Sequence, residues 1–441
     1  MRKALLLLFL AIFSLPALGQ SPGGVSAMLY WLRADSLTST TVDGDTVDTW
    51  EDQTASNFDG TKVAPGPLFR EAGANYNPGI DFSSITGGLN TPDLNGVNTG
   101  GPFNAKSYTI AFRTGSDVST RQVIFEQGGG SSGMNLYIEG GLLIPNLYNT
   151  NVEFTSNTTT VESNTTYIYS YIFDGGSQVI NAYLNGVQVL TNITGPTTLS
   201  NHGGDPAIGY VNGSTQFFGN VNSSVDGFLG LIYEITYFNN TVFSSTNRIR
   251  IESYMAVKYG VDLDGDYVNS NGTTFWNSST NSDYNHNVAG LLRDDNSAEL
   301  YQKQSKSESS DGIVAAGLGT IEATNKENTG VISANLSSMM WGNNDSALSF
   351  TSTGAPSGSL KLKRVWKIQE TGTIGTVKIK IPSNSSSEST KLPPAGSINF
   401  LTDSDGDFTS GSSSSSMVLV GDYWEASHDF SPSPWKELHF Q

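Results

Sequence analysis

No cysteine occurs anywhere in the 441 residues. That excludes a disulfide frame, cysteine-based metal sites and thiol nucleophiles, and leaves burial and hydrogen bonding to stabilise the chain. Basic residues are scarce as well: 23 Lys and Arg stand against 41 Asp and Glu, for a net charge of −18. Nucleic acid and anionic membrane both reward clustered Lys and Arg, so neither is an expected partner. His202, His286, His428 and His439 are scattered, without the HExxH-type spacing of a catalytic metal centre. Phosphate-cradling glycine loops are missing too. Long apolar runs are confined to the first 20 residues, so no transmembrane segment is expected beyond them.

That first stretch, MRKALLLLFLAIFSLPALGQ, has two basic residues, an apolar run broken by Pro16, and the small residues Ala17 and Gly19. This is the layout of a secretory signal peptide, read here as residues 1–19. No Cys follows the cut, which argues against a lipoprotein anchor. Loss of Arg2 and Lys3 with the leader deepens the net charge to −20. The expected location is therefore outside the cell, either at its surface or released.

What is abundant is strand-like sequence punctuated by turns. SYTIAF (107–112), QVIFEQ (122–127), MNLYIE (134–139), TYIYSYIF (166–173), INAYLNGVQVL (180–190) and GLIYEITYF (230–238) are rich in β-branched and aromatic residues. Asn185–Gly186 is the strongest hairpin signal, because both positions of such a turn need positive φ. Beyond Gly260, VAGLLRD (288–294), GIVAAGL (312–318), LKLKRVWKIQE (360–370), TVKIKIP (376–382), SINFLTD (397–403) and SMVLVGDYWEA (416–426) read as strands of a second sandwich. In TVKIKIP, Val377, Ile379 and Ile381 alternate with Lys378 and Lys380, the mark of a sheet with one wet face. The fold class is all-β.

One stretch breaks the pattern. In RIRIESYMAVKYGVDLDGDYVN (248–269), Ile251, Tyr254, Met255 and Lys258 fall on one helix face. Ser245 or Thr246 suits the N-cap, Gly260 suits a left-handed C-cap, and Lys258 is placed to snorkel. The helix is read as a joint, giving a first sandwich at 20–244, a junction helix at 245–260 and a second β-rich module at 261–441.

The segments MLYWLRADSL (28–37), VDTWEDQ (47–53), 110–141 and 207–261 resemble the concanavalin A-like, laminin-G-type domain of large bacterial surface proteins, typically exported by the type IX route. TTFWN (273–277), YNHNVAGLLRDD (284–295), YQKQSKS (301–307), KRVWKIQETGTIGTV (363–377) and LTDSDGDF (401–408) resemble the β-rich module that often follows it. The resemblance implies a jelly-roll sandwich, then an Ig-like or similar sandwich, in an adhesion-type protein. One departure is that no C-terminal sorting domain is evident, which leaves open a fragment, another sorting signal or a partner.

The candidate sites divide by chemistry. Asp262, Asp264 and Asp266 follow the helix, and Asp403, Asp405 and Asp407 form a second alternating row. Such rows are open to two readings, a Ca2+ loop or a solvated acidic turn. The first is no EF-hand, because Tyr267 and Thr273 stand where Gly and Glu would be needed. GGSSG (129–133) matches a nucleophile elbow in letters, but Ser131 lies between two strands with no following helix. Glu126, Glu139, Glu153 and Glu234 are isolated, with no paired-carboxylate motif of a glycosidase, and Glu234 reads as a rim or solvent-face residue. For sugar recognition the candidates are Asp205, Tyr210, Asn212 and Tyr148. Trp31, Trp50, Trp341, Trp366 and Trp424 are better explained as core. The expected function is non-catalytic binding of glycans or extracellular proteins, with a carbohydrate-active enzyme, its accessory module or a purely structural surface protein as the alternatives.

Overall fold

The computed structural model describes residues 21–440 other than 83–86, 155–157, 223–225, 299, 356–357, 405–407, 409–410 and 431–434. The leader expected at 1–19 lies outside the described residues. Within them the chain is almost entirely β, with one α-helix, α1 (Ser245–Tyr259).

Strands between Tyr30 and Asn239 form an eight-stranded and a nine-stranded sheet. Their facing sides bury a common core that includes Tyr30, Trp50, Ile110, Ile124, Leu136 and Tyr237. The strand Thr166–Asp174 explains why its sequence hardly alternates. Tyr167, Tyr169, Tyr171 and Phe173 enter that core, while Ile168 and Ile172 point the other way, into a second apolar cluster built around α1. A strand buried on both faces needs apolar residues on both.

The expected Asn185–Gly186 hairpin is present. Both residues have positive φ, 49° and 84°, between the paired residues Leu184 and Val187. The tip abuts the chain just after α1, where the Asp264 amide donates to the Asn185 carbonyl at 2.9 Å.

Helix α1 lies between the eight-stranded sheet and the second module, and is buried on nearly every side. The cap sits one residue earlier than expected: Ser244 accepts from the Asn247 amide at 3.1 Å, and Gly260 closes the helix with φ 65°. Lys258 does not snorkel. It is 3% exposed, because its ammonium turns onto the first sandwich, where Glu234 and Asp35 pair with it at 2.9 and 3.1 Å.

Beyond the helix, a seven-stranded and a five-stranded sheet enclose a third core. Trp341, Trp366 and Trp424 are buried in it, as Trp31 and Trp50 are in the first half. LKLKRVWKIQE is not one strand. It divides into Lys361–Leu362 and Trp366–Thr371 around Arg364, which turns inward to donate to the Ser346 and Asp311 carbonyls and to pair with the Asp311 carboxylate at 2.9 Å. A buried guanidinium needs acceptors that a strand ladder cannot provide.

Candidate functional site

The seam between the halves is chemically the richest part of the molecule. In the strand Gly230–Asn239 a bulge at Tyr233 shifts the register, so that Tyr233 and Glu234 both meet α1. Glu234 is fully buried, which corrects its expected solvent-face position. Its Oε1 accepts from the Trp31 indole at 2.7 Å. Its Oε2 accepts from Lys258 Nζ at 2.9 Å, Tyr259 at 2.8 Å and Tyr254 at 3.3 Å. Lys258 also reaches Asp35 at 3.1 Å, and Arg33 holds the same carboxylate at 2.8 Å. Burial pushes Asp35 up, but Lys258 and Arg33 outweigh it and hold that carboxyl at about 2.

A two-residue hairpin tip from the first sandwich completes the seam. Asn75 and Tyr76 have φ 44° and 63°, the positive pair that a two-residue turn between Ala74 and Asn77 requires. Asn75 Nδ2 donates to the Val257 carbonyl at 2.9 Å and the Lys258 carbonyl at 3.3 Å, satisfying orphan groups at the helix end. Its Oδ1 accepts from the Lys306 amide at 2.7 Å. The tip is thus fastened to α1 and to the second module at once.

Beside this tip opens a cleft of about 610 Å³. Tyr76 and Arg113 of the first sandwich face Glu308, Lys380, Glu388 and Tyr423 of the second module across it. Both tyrosines are half-buried. Lys380 Nζ sits 3.9 Å from the centre of the Tyr423 ring, whose hydroxyl donates to Glu388 at 3.0 Å. Glu308 is fixed by the Asn75 amide at 2.8 Å, Lys306 at 3.6 Å and Arg113 at 3.8 Å. The Ser307, Ser309, Ser310 and Thr390 residues complete a mainly polar lining. Such a surface offers fixed donors, acceptors and two aromatic rings to a polyhydroxylated molecule. None of these residues was expected at a binding site, although Lys380 was read on the wet face of its strand. Tyr76 carried a weak signal, as a large residue between two strand-like runs with no glycine at the turn.

The four residues expected to bind sugar do come together, on the outward face of the nine-stranded sheet around Glu126. The Asn212 amide donates to Glu126 Oε1 at 3.1 Å, and its side chain donates to the Asp205 carbonyl at 3.3 Å. Tyr148 is fully buried and bonds Thr215 at 3.0 Å, while Tyr210 is 5% exposed. Burial, with the Glu126 charge second for Tyr210, raises both phenols. The segment 209–219 covers this face, so neither ring offers a stacking platform to solvent. Only Asp205 is exposed, with Asn212 part-covered.

The first aspartate row does not converge. Asp262 accepts from the Asn287 and Val288 amides at 2.7 and 2.6 Å, Asp264 anchors the hairpin tip through its backbone, and Asp266 accepts from Ser278 at 2.8 Å. Each carboxylate serves a separate loop, which is what Asp does in turns. Among the described residues no three His, Asp or Glu side chains are grouped so as to hold a metal. Of the second row, Asp403 is buried at a strand end, and Asp405 and Asp407 lie outside the described residues. Ser131 sits exposed in a hairpin connection, with no helix behind it. His202 is 8% exposed, and burial lowers it to about 4.

Residues 247–432 match the family described as Domain of unknown function (DUF8202). No curated protein matches the chain. Among solved structures it is similar to domain 4 of AbnA, a GH43 extracellular arabinanase from Geobacillus stearothermophilus, in complex with arabinotriose. There the identity is 14% and the TM-score 0.37, over 52% of this chain and 98% of that one. The Ruminococcus gnavus IT-sialidase CBM40 bound to α2,3-sialyllactose is similar at 17% identity and TM-score 0.25, over 32% and 79%. Trypanosoma rangeli sialidase in complex with 2,3-difluorosialic acid is similar at 12% identity and TM-score 0.34, over 53% and 33%. No site residue is carried over from these likenesses. Among the described residues no helix is long and apolar enough to cross a membrane.

Proposed function

We propose that this chain is an exported, non-catalytic carbohydrate-binding protein of the cell surface or its surroundings, and that it takes its glycan in the cleft between the two halves. The observation that carries this reading is the pairing of half-buried Tyr76 and Tyr423 from different modules across a polar cleft of about 610 Å³. Preset hydrogen-bonding groups beside aromatic rings suit sugars, which present hydroxyls at their edges and C–H groups on their faces.

The absence of catalysis is part of the proposal. Of the three glutamates on the cleft lining, Glu308 and Glu388 are engaged by the protein's own donors, and Glu322 is bonded through its backbone to Gln304. Of the carboxyls that burial raises most, Glu126 and Glu252 lie away from the cleft, and Asp262 stands behind its lining, where it accepts from Ser309 at 3.3 Å and from the Asn287 and Val288 amides. A general acid needs a raised carboxyl within reach of the scissile bond.

A glycan-array screen of the purified protein, followed by titration of the best ligand, tests the reading. Tyr76→Ala and Tyr423→Ala should each weaken binding about tenfold, the loss of one aromatic contact. Release of new reducing ends from the bound glycan would make the protein an enzyme. Silence across the array, or binding indifferent to both substitutions, would sink the cleft as a glycan site.

A further inference from the structure

On the outward face of the nine-stranded sheet, three polar side chains stand in a row across three strands. Glu126 pairs directly with Asn135, and Asn135 with Asn146, so successive Cβ atoms lie about 5 Å apart on one face. All three are at most 1% exposed, and Gln216 of the covering segment, at 5%, closes over them. Row and cover are sealed by Val123, Tyr137, Val211 and Phe217.

Each side-chain amide nitrogen of this nest has an acceptor. Asn135 Nδ2 donates to Thr215 Oγ1 at 2.8 Å and the Gln216 carbonyl at 3.0 Å, and Asn146 Nδ2 donates to the same carbonyl at 2.7 Å. Gln216 Nε2 donates to Glu153 at 2.9 Å. These bonds fix the amide orientations, because turning either asparagine over would set its oxygen against a carbonyl oxygen. The acceptors are left over. Among the described residues, Glu126 Oε2, Asn135 Oδ1, Asn146 Oδ1 and Gln216 Oε1 are buried and meet no donor. Nor does any described Lys, Arg or His form an ion pair with Glu126.

We infer that this nest binds a hard divalent cation, Ca2+, through Glu126 and the amide oxygens of Asn135, Asn146 and Gln216. A single proton on Glu126 would supply a donor for one neighbouring oxygen and leave the others unmet. A cation gathers several oxygens at once, and carboxylate plus Asn and Gln carbonyls is a Ca2+ ligand set. With one formal charge among the ligands, the affinity belongs to the weak extracellular range, a Kd of about 0.1–1 mM. The bound ion would tie the 209–219 segment to the sheet. This site is separate from the aspartate rows and from the cleft.

The test is thermal unfolding of the full chain, stripped with chelator and then titrated with Ca2+, Mg2+ or Na+ at matched ionic strength, alongside calorimetric titration. Ca2+ should raise the melting temperature saturably, with a midpoint near about 1 mM, and Mg2+ should do so weakly, because it demands a tighter octahedron. Glu126→Gln keeps the shape and should abolish the Ca2+ response. Asn146→Asp adds a charge and should tighten binding about tenfold. No Ca2+-specific rise in the native protein overturns the site. So does a rise that Glu126→Gln retains in full, since the ion would then sit elsewhere, at an aspartate row for example. The readout is stability and ion binding, so either failure leaves the glycan reading of the cleft untouched.

Discussion

Both outward faces of the N-terminal sandwich bury a glutamate, and the two are housed in opposite ways. Glu234, under α1, receives an indole N–H, two phenols and the Lys258 ammonium. Glu126, under the 209–219 segment, receives one backbone amide and no cation among the described residues. Lys258 is carried above its ordinary value by Asp35 and Glu234, against the pull of burial, whereas Glu126 is driven well up by burial. Glu252 stands between them: Arg248 lies beside it, yet burial still raises it to about 7. A buried charge with matched partners fastens a joint, and one without them waits for a proton or an ion.

The contrast breaks hardest at Lys258. Lys258→Met should cost about 3–5 kcal/mol, because Glu234 would stay buried without its counter-ion. Adding Glu234→Gln should recover most of that loss, and chemical denaturation of the single and double variants measures both. Full stability in Lys258→Met alone would show that the indole and phenols suffice.

Next comes the hairpin tip that fastens the same seam. Asn75→Ala strips partners from the Val257 and Lys258 carbonyls and the Lys306 amide, and places Ala at φ 44°. A loss of about 1–3 kcal/mol is expected. Calorimetry should show one transition splitting into two as the halves uncouple.

Glu252 gives a pH signature. Its folded value of about 7 lies above the ordinary 4.5, so the folded state holds the extra proton between them. Stability from this group is therefore present at low pH and falls as pH rises through that window. Glu252→Gln should gain on the native protein over the same interval and level off above it, read as the difference in melting temperature. Asp35 has the opposite sign. Its contribution is intact at neutral pH and fades only as pH drops from 3.8 through about 2.

The smallest effect is expected at Glu126. In chelator, Glu126→Gln should change stability by less than about 1 kcal/mol, since no counter-ion is orphaned. A large loss would reveal that Glu126 is ionised and paired after all.

Local signals in the chain were readable. Asn185–Gly186 announced its turn, and Gly260 its helix end, because positive φ is a property of the residue itself. The apolar spacing of Ile251, Tyr254 and Met255 marked a lone helix among strands, and its position between two β-rich runs marked a joint. Lys258 and Glu234 were misjudged because a charged residue among apolar ones looks the same whether it meets water or a buried partner. Asp262, Asp264 and Asp266 looked like one site because they are neighbours in sequence, but the loops they serve run in different directions. The cleft was nearly invisible, since Tyr76 is only a turn residue and Tyr423 only the first residue of a strand until two modules are set side by side.

By itself, then, the sequence determined the all-β class, the lone helix and several turns, all of which depend on backbone preferences and apolar period over a few residues. Tertiary structure decided which carboxylates are matched and which are left over, and where a ligand-sized opening lies. Those depend on groups far apart in the chain, such as Trp31 and Glu234, 203 residues from each other. Charge pairing and surface concavity are set by packing, and no local pattern encodes them.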